Sequence, residues 1–176
     1  DAGFVGFIHP RLEEMATRFG VTALLWQDAG QNRFVLVDKA ESSSAIRVHL
    51  SIGQRFPALI GAFGRCVAAQ NGIGKEELRK GFAELRWENP PDFEDYWRQV
   101  DDARRDGFAM DRGNFNTGIT TVAAVIPDQG GDPLMAISTI GLSTQFAEID
   151  TRALSQAVRS AAREISAAIG GGKLAE

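Results

Sequence analysis

Residue types suited to covalent or metal chemistry are scarce in this sequence. The 176 residues include one cysteine, Cys66, and two histidines, His9 and His49. Cys66 and His49 would act as nucleophile and base if the fold brought them together, but no oxyanion motif or orienting acid accompanies them. A free cysteine among small apolar residues usually packs, and this set of residues is too sparse for a zinc site. The sequence therefore predicts a protein that is not an enzyme and holds no metal or cofactor.

Two polar features could hold a ligand. Residues 61–64, Gly-Ala-Phe-Gly, form a glycine-bracketed turn near the start of a predicted helix. Free N–H groups there favour an anion, although the glycines equally permit close packing of a helix against a sheet. Asp111 ends a predicted short strand before a glycine-rich loop. Its carboxylate would suit a ligand hydroxyl or amine, or it caps the turn, and both interpretations stay open.

Hydroxyl and aromatic side chains are further candidates. Thr121 and Ser138 lie in predicted strands. A buried hydroxyl there needs a partner, which is either a ligand or a neighbouring backbone group. Four apolar side chains would line a small-molecule site or belong to the core. They are Phe56, Phe63, Phe115 and Ile119.

Composition narrows the class of protein. A net charge of −4 and a pI of about 5.3 argue against binding to nucleic acid, which requires clustered lysine and arginine. A single cysteine fits a reducing compartment, so we expect a cytoplasmic protein. No apolar run approaches the ~20 residues that cross a bilayer. The length fits one domain. The sequence begins at Asp1 without a signal-peptide pattern, and we expect further protein sequence upstream.

Hydrophobic periodicity predicts the elements that position these residues. Their order is one helix, three strands, three helices, three strands and one helix. The predicted helices cover residues 10–19, 59–70, 75–87, 93–106 and 152–169. The predicted strands cover residues 21–27, 33–38, 45–50, 108–111, 119–126 and 134–140. Short turns within both strand groups favour an antiparallel sheet, so the fold class is α+β.

Four stretches in this order resemble the effector-binding domain of IclR-type transcriptional regulators. They are residues 53–57 leading into 61–68, residues 100–111, residues 118–127, and residues 134–141 with the terminal helix. The resemblance implies a GAF-like fold with a six-stranded antiparallel sheet flanked by helices. It also implies that residues 1–176 are a single effector-binding domain, and that a winged helix-turn-helix domain, absent from this sequence, precedes Asp1.

The resemblance also implies a set of ligand-contacting positions. These are the backbone N–H groups of Ala62 and Phe63 and the side chains of Asp111, Thr121 and Ser138. Phe63 is bulkier than the family's usual residue, Ile140 stands where serine is frequent, and Arg65 replaces a common lysine. We therefore expect a tighter and more apolar pocket than one suited to glyoxylate. Its further lining is expected from Phe56, Phe115, Ile119 and Ile140.

These observations predict a ligand-sensing and oligomerisation domain of a bacterial transcriptional regulator. Its partners are expected to be a small organic effector, a carboxylate with an apolar or aromatic body, and further copies of itself in a homodimer or homotetramer. DNA would be bound only through the missing N-terminal domain, and no membrane is expected to be involved. The alternatives are a dimerisation module with a degenerate pocket and a GAF-like enzyme.

Overall fold

A computed structural model describes residues 2–44 and 47–170, which form six helices and six strands in the described part of the chain. The helices are α1 (Ala2–Phe19), α2 (Gly61–Asn71), α3 (Lys75–Ala83), α4 (Phe93–Asp106), α5 (Ser143–Phe146) and α6 (Thr151–Gly170). The strands are β1 (Thr22–Gly30), β2 (Arg33–Ala40), β3 (Arg55–Pro57), β4 (Ala109–Arg112), β5 (Ile119–Pro127) and β6 (Pro133–Leu142). Helices flank one sheet, which confirms the predicted α+β class.

The sheet is antiparallel with the strand order β3-β2-β1-β6-β5-β4. Two hairpins, β1–β2 and β5–β6, meet where β1 pairs with β6 at its centre. The first hairpin turns through Gln31 and Asn32, whose φ angles are 53° and 57°. Positive φ at both central residues is the requirement of a two-residue type I′ turn, which matches the twist of the flanking strands.

One face of the sheet packs against α1 and α6. Because side chains alternate along a strand, Ala23 and Leu25 of β1 point to this face while Leu24 and Trp26 point to the other. Helix residues such as Leu12 complete this layer of the core, which is fully buried at its centre. No helix in the described ranges is long and apolar enough to span a membrane.

The other face packs against α2, over which α4 lies. Gly64 of α2 has no room for a side chain, because a Cβ there would lie 2.1 Å from the carbonyl carbon of Leu59. The segment that enters the helix thus folds back onto the helix's own first turn. Ala62 and Phe63 of the same turn pack against the strands.

Several predicted boundaries were wrong. The third strand is β3, which pairs with β2 through Phe56 and Phe34, and not residues 45–50. Ala45 and Ile46 lie outside the described residues, and residues 47–50 form no regular element. Their alternating apolar pattern has another cause, because Val48 and Leu50 face a cavity and not a neighbouring strand.

The helices also differ in extent from their predictions. Helix α1 begins at Ala2, so Pro10 lies inside it on an exposed position and does not start it. Helix α3 ends at Ala83, four residues before Trp87, and the short α5 was not predicted. Asp92 caps α4 as expected, accepting a hydrogen bond from the N–H of Glu94 at 2.9 Å.

Gly64→Ala is expected to lower the free energy of unfolding by about 3 kcal/mol, since backbone atoms must move to admit the methyl group. The matched control is Gly6→Ala in α1, where a Cβ meets nothing within 4 Å. Alanine at that helical position is expected to raise stability by about 0.5–1 kcal/mol. Denaturant titrations of both variants measure their free energies of unfolding. Equal changes would show that the close approach at Gly64 does not limit the size of the side chain there.

Candidate functional site

A cavity lies between the start of α2 and the sheet face that this helix covers. The space inside it that is open to water-sized molecules is about 90 Å³, below the ~300–1,000 Å³ of sites for drug-sized ligands, so the site suits a small ligand. The lining side chains and backbone come from β1, β3, β5, β6, α2 and three connecting segments. They are Leu24, Trp26, Val48, Leu50, Phe56, Ile60, Gly61, Ala62, Phe63, Phe115, Asn116, Ile119, Thr121, Ser138 and Ile140.

Most positions predicted from the sequence meet at this cavity. Ala62, Phe63, Thr121 and Ser138 all line it. The expected apolar lining is there too, from Phe56, Phe115, Ile119 and Ile140. Asp111 is the predicted position that does not line it.

The first turn of α2 supplies the cavity's backbone donors. Within the described part of the chain, the N–H groups of Ala62 and Phe63 have no hydrogen-bond partner, and Ile60 gives the helix no side-chain cap. Gly61 has a φ of 69°, a left-handed conformation that lets the chain turn sharply into the helix. A helix start of this kind favours a negatively charged group.

Trp26 is a cavity residue that the sequence reasoning missed. Its ring centre lies 5.3 Å from those of Phe56 and Phe63, and Phe56 meets Phe115 edge-on at 5.5 Å. The indole N–H donates to Oγ of Ser138 at 3.0 Å, so the Ser138 hydroxyl proton stays free for another acceptor. Alternation along β1 groups Trp26 with Leu24, but it does not tell which face holds a cavity.

Asp111 is buried beneath the cavity wall and is already paired. Its Oδ2 lies 2.8 Å from Nη1 of Arg65, and its Oδ1 accepts the N–H groups of Asn114 and Phe115 at 3.0 and 3.2 Å. Both oxygens are thus engaged by the protein. Of the two interpretations that the sequence left open, the structure shows the turn-capping arrangement, and it adds an ion pair with a buried cation.

Arg65, whose side chain is only 1% exposed, uses all three guanidinium nitrogens. Nε donates to Gln99 at 2.8 Å, Nη2 to Asn114 at 3.0 Å, and Nη1 both to Asp111 and to the carbonyl of Gly61 at 2.9 Å. From the sequence, Arg65 is identified only as a replacement for a lysine that is common in the family. Its partners lie up to 49 residues away, and no local spacing reveals them.

Cys66 and His49 do not form a catalytic pair. The Cys66 thiol is buried and donates to the carbonyl of Ala123 at 3.4 Å, whereas His49 is exposed near Glu41. Burial raises the pKa of the Cys66 thiol to about 12. Across the residues that the structure describes, no group of three or more potential ligands could hold a metal ion.

The family model described as "Bacterial transcriptional regulator IclR C-terminal" matches residues 4–167. The chain belongs to this family. Curated relatives of this IclR C-terminal domain are regulators and not enzymes, in agreement with the prediction. The HTH-type transcriptional repressor AllR of Escherichia coli K12 is 26% identical over 142 residues, covering 79% of this chain and 52% of the repressor. The Klebsiella pneumoniae AllR is 28% identical over 144 residues. The chain thus spans about half the length of these relatives.

Solved structures confirm the fold. An IclR-type regulator from Alicyclobacillus acidocaldarius superposes with a TM-score of 0.81 at 24% identity, covering 94% of this chain and 68% of that one. The Thermotoga maritima IclR gives a TM-score of 0.79 at 23% identity, covering 95% and 68%. The IclR C-terminal domain therefore has the architecture that the resemblance implied.

Cys66 is expected to resist thiol reagents in the folded IclR domain. A pKa raised from 9.0 to about 12 lowers the thiolate fraction at pH 8 about a thousandfold, and only the thiolate reacts. The measurement is the rate of disulfide exchange with an aromatic disulfide reagent, in buffer and in denaturant, with Cys66→Ala as the blank. Similar rates in the folded and unfolded protein would contradict the buried, protonated thiol.

Proposed function

We propose that this IclR C-terminal domain binds a small organic carboxylate with an apolar or aromatic body, and that binding alters operator affinity. The operator would be held by a DNA-binding domain that precedes residues 1–176, which we regard as a single effector-binding domain. The share of the curated relatives that lies outside the match leaves room for such a domain. The sign of the response, activation or repression, is left to experiment.

The observation that carries this proposal is the pair of unpartnered N–H groups at Ala62 and Phe63, set at the edge of an aromatic cavity. Two N–H groups satisfy an acceptor and repel an ammonium. The nearby hydroxyls of Thr121 and Ser138 can donate as well. Because both oxygens of Asp111 are engaged by the protein, the site offers an amine no free carboxylate. The polar end therefore favours a carboxylate.

The cavity walls favour an apolar or aromatic body for such a ligand. Trp26, Phe56, Phe63 and Phe115 present ring surfaces, and Ile140 places an apolar group where the family often has serine. Stacked and edge-on contacts with these rings stabilise a flat apolar body beyond simple burial. A two-carbon acid such as glyoxylate would leave most of these walls without contact.

Effector binding would act through a homodimer or homotetramer in the cytoplasm. Coupling free energies between such sites are about 1–3 kcal/mol and are reciprocal, so operator DNA would tighten effector binding by the same factor. Effector binding would shift the equilibrium between two arrangements of the oligomer. The alternative of a dimerisation module with a degenerate pocket predicts an oligomer that binds none of these acids.

Three compounds with the same benzene ring and different polar groups test whether the site prefers a carboxylate. Benzoate at one hundred times its Kd is expected to stabilise the chain by about 2.7 kcal/mol, which raises the Tm by about 5–10 °C. Benzyl alcohol is expected to act weakly and benzylamine not at all, because the N–H groups repel its ammonium. Thermal unfolding with each compound is the measurement. A larger shift with benzylamine than with benzoate would refute the assignment.

Thr121→Val tests the hydroxyl contact with little change in shape. Loss of one hydrogen bond is expected to weaken benzoate binding by about 1 kcal/mol, roughly fivefold. The matched control is Thr139→Val, because Thr139 points to the other face of the sheet and its buried hydroxyl has no partner in the described chain. Calorimetric titration of both variants gives the affinities. An unchanged affinity in Thr121→Val would remove Thr121 from the site.

A further inference from the structure

Two walls of the cavity come from parts of the chain that have no strand pairing with each other. One is the start of α2 at Gly61, and the other is the β4–β5 loop, residues 113–118, which contributes Phe115 and Asn116. The ion pair between Arg65 and Asp111 lies behind both walls, with side chains 1% and 3% exposed. Neither side chain is part of the lining of this cavity.

Each partner of the pair holds one of these walls. Arg65 donates to the carbonyl of Gly61 at 2.9 Å, which fixes the turn into α2. Asp111 accepts the N–H groups of Asn114 and Phe115, which fixes the loop that carries the Phe115 ring. The 2.8 Å contact between Arg65 and Asp111 closes the connection from one wall to the other.

A second set of contacts holds the loop from its other side, while its ends continue into β4 and β5, on which α2 packs. On its far side the loop is bonded to the segment before α4, where Glu88 donates to the carbonyl of Phe115 at 3.1 Å and Asn89 to that of Asn114 at 2.9 Å. Those bonds fix the loop to its outer neighbour. Arg65 ties the loop to α2, and it does so twice, through Asp111 and through Oδ1 of Asn114 at 3.0 Å.

We propose that Arg65 and Asp111 are positioning residues that set the distance between the N–H donors of α2 and the Phe115 wall, and thereby the affinity for a carboxylate effector. This inference rests on the proposed function. A binding site held loosely by its supporting residues loses affinity even when every contact residue is present. The planar guanidinium fork is suited to the task, since it fixes several acceptors in one geometry while a lysine ammonium cannot.

Burial requires that Arg65 have partners, but which groups it pairs with favours a positioning role. Buried ion pairs are a weak source of stability, because desolvation offsets most of their attraction. Apart from Gln99 on α4, each hydrogen-bond partner of Arg65 belongs to a cavity wall or is bonded to one. The placement of these contacts follows the cavity and not the centre of the core.

The test uses the whole chain and benzoate as the probe. Removing one charge would leave the other buried and unpaired, so the main variant is R65Q/D111N, which is neutral and keeps an oxygen at position 111 for the loop N–H groups. Its benzoate affinity is expected to fall about tenfold or more, the equivalent of about 1.4 kcal/mol. R65K, which keeps the charge pair but loses the fork, is expected to lie between it and the wild type.

The control for lowered stability is V158A, in the core on the opposite face of the sheet, where Val158 is fully buried. This variant is expected to unfold more easily yet to bind benzoate as the wild type does. If R65Q/D111N does not fold, the benzoate affinity of R65K is compared with those of the wild type and V158A instead. Wild-type affinity in folded R65Q/D111N, or in R65K when it stands alone, overturns the inference.

A measurement without ligand separates this inference from the proposed function. Hydrogen exchange at the amides of Asn114 and Phe115 is expected to be faster in R65Q/D111N and R65K than in the wild type or V158A. Failure of the wild type to bind benzoate overturns the proposed function, and with it the claim about affinity. In that case the exchange rates alone test the positioning role of Arg65 and Asp111. Faster exchange in the variants supports this role, and unchanged exchange overturns it.

Discussion

A guanidinium cannot be buried without partners, and the region around the cavity is organised by that constraint at Arg65. Transfer of an unpaired charge from water to a protein interior is far costlier than any single packing contact could offset. Four groups from different segments therefore converge on this side chain: the start of α2, the middle of α4, the end of β4 and the β4–β5 loop. Trp87 and Tyr96 lie 5.5 and 5.6 Å from it and add ring faces to the cation's surroundings. The cavity is the space left in front of these converging segments.

The sheet supplies the other half of the arrangement. Its central strands are buried on both faces, against α1 and α6 on one side and against α2 on the other. The first turn of α2 packs on the sheet, and the cavity beside it is lined both by this turn and by Thr121 and Ser138 of β5 and β6. Cavity and core thus share the same strands, and the site needs no separate scaffold.

The sequence was sufficient for the antiparallel sheet and for the element order apart from the short α5 and the position of β3, because periods of 3.6 and 2 residues distinguish helices from strands. The resemblance to the IclR family also pointed to the start of α2 and to Thr121 and Ser138, where the residues alone left close packing or a backbone partner equally open. The prediction of a strand that includes residues 47–50 was wrong, because alternate burial of side chains against a cavity has the same two-residue period as a strand. At Asp111 the sequence left a turn cap and a ligand contact open, and the structure shows the cap together with an ion pair to Arg65. Its partner is 46 residues away, and such pairing depends on the tertiary fold and not on local spacing.

The alternation of side chains along β1 has a consequence for how such a domain diverges. Leu24 and Trp26 border the cavity, while Ala23 and Leu25, their immediate neighbours, belong to the layer under α1 and α6. Substitutions at Leu24 and Trp26 can therefore change the shape of the cavity, and the packing of the core layer beside it, while the layer under α1 and α6 keeps its packing. The two core layers are in this way separable residue by residue along one strand. Sequence change on the cavity side of β1 can accumulate without repacking the opposite layer.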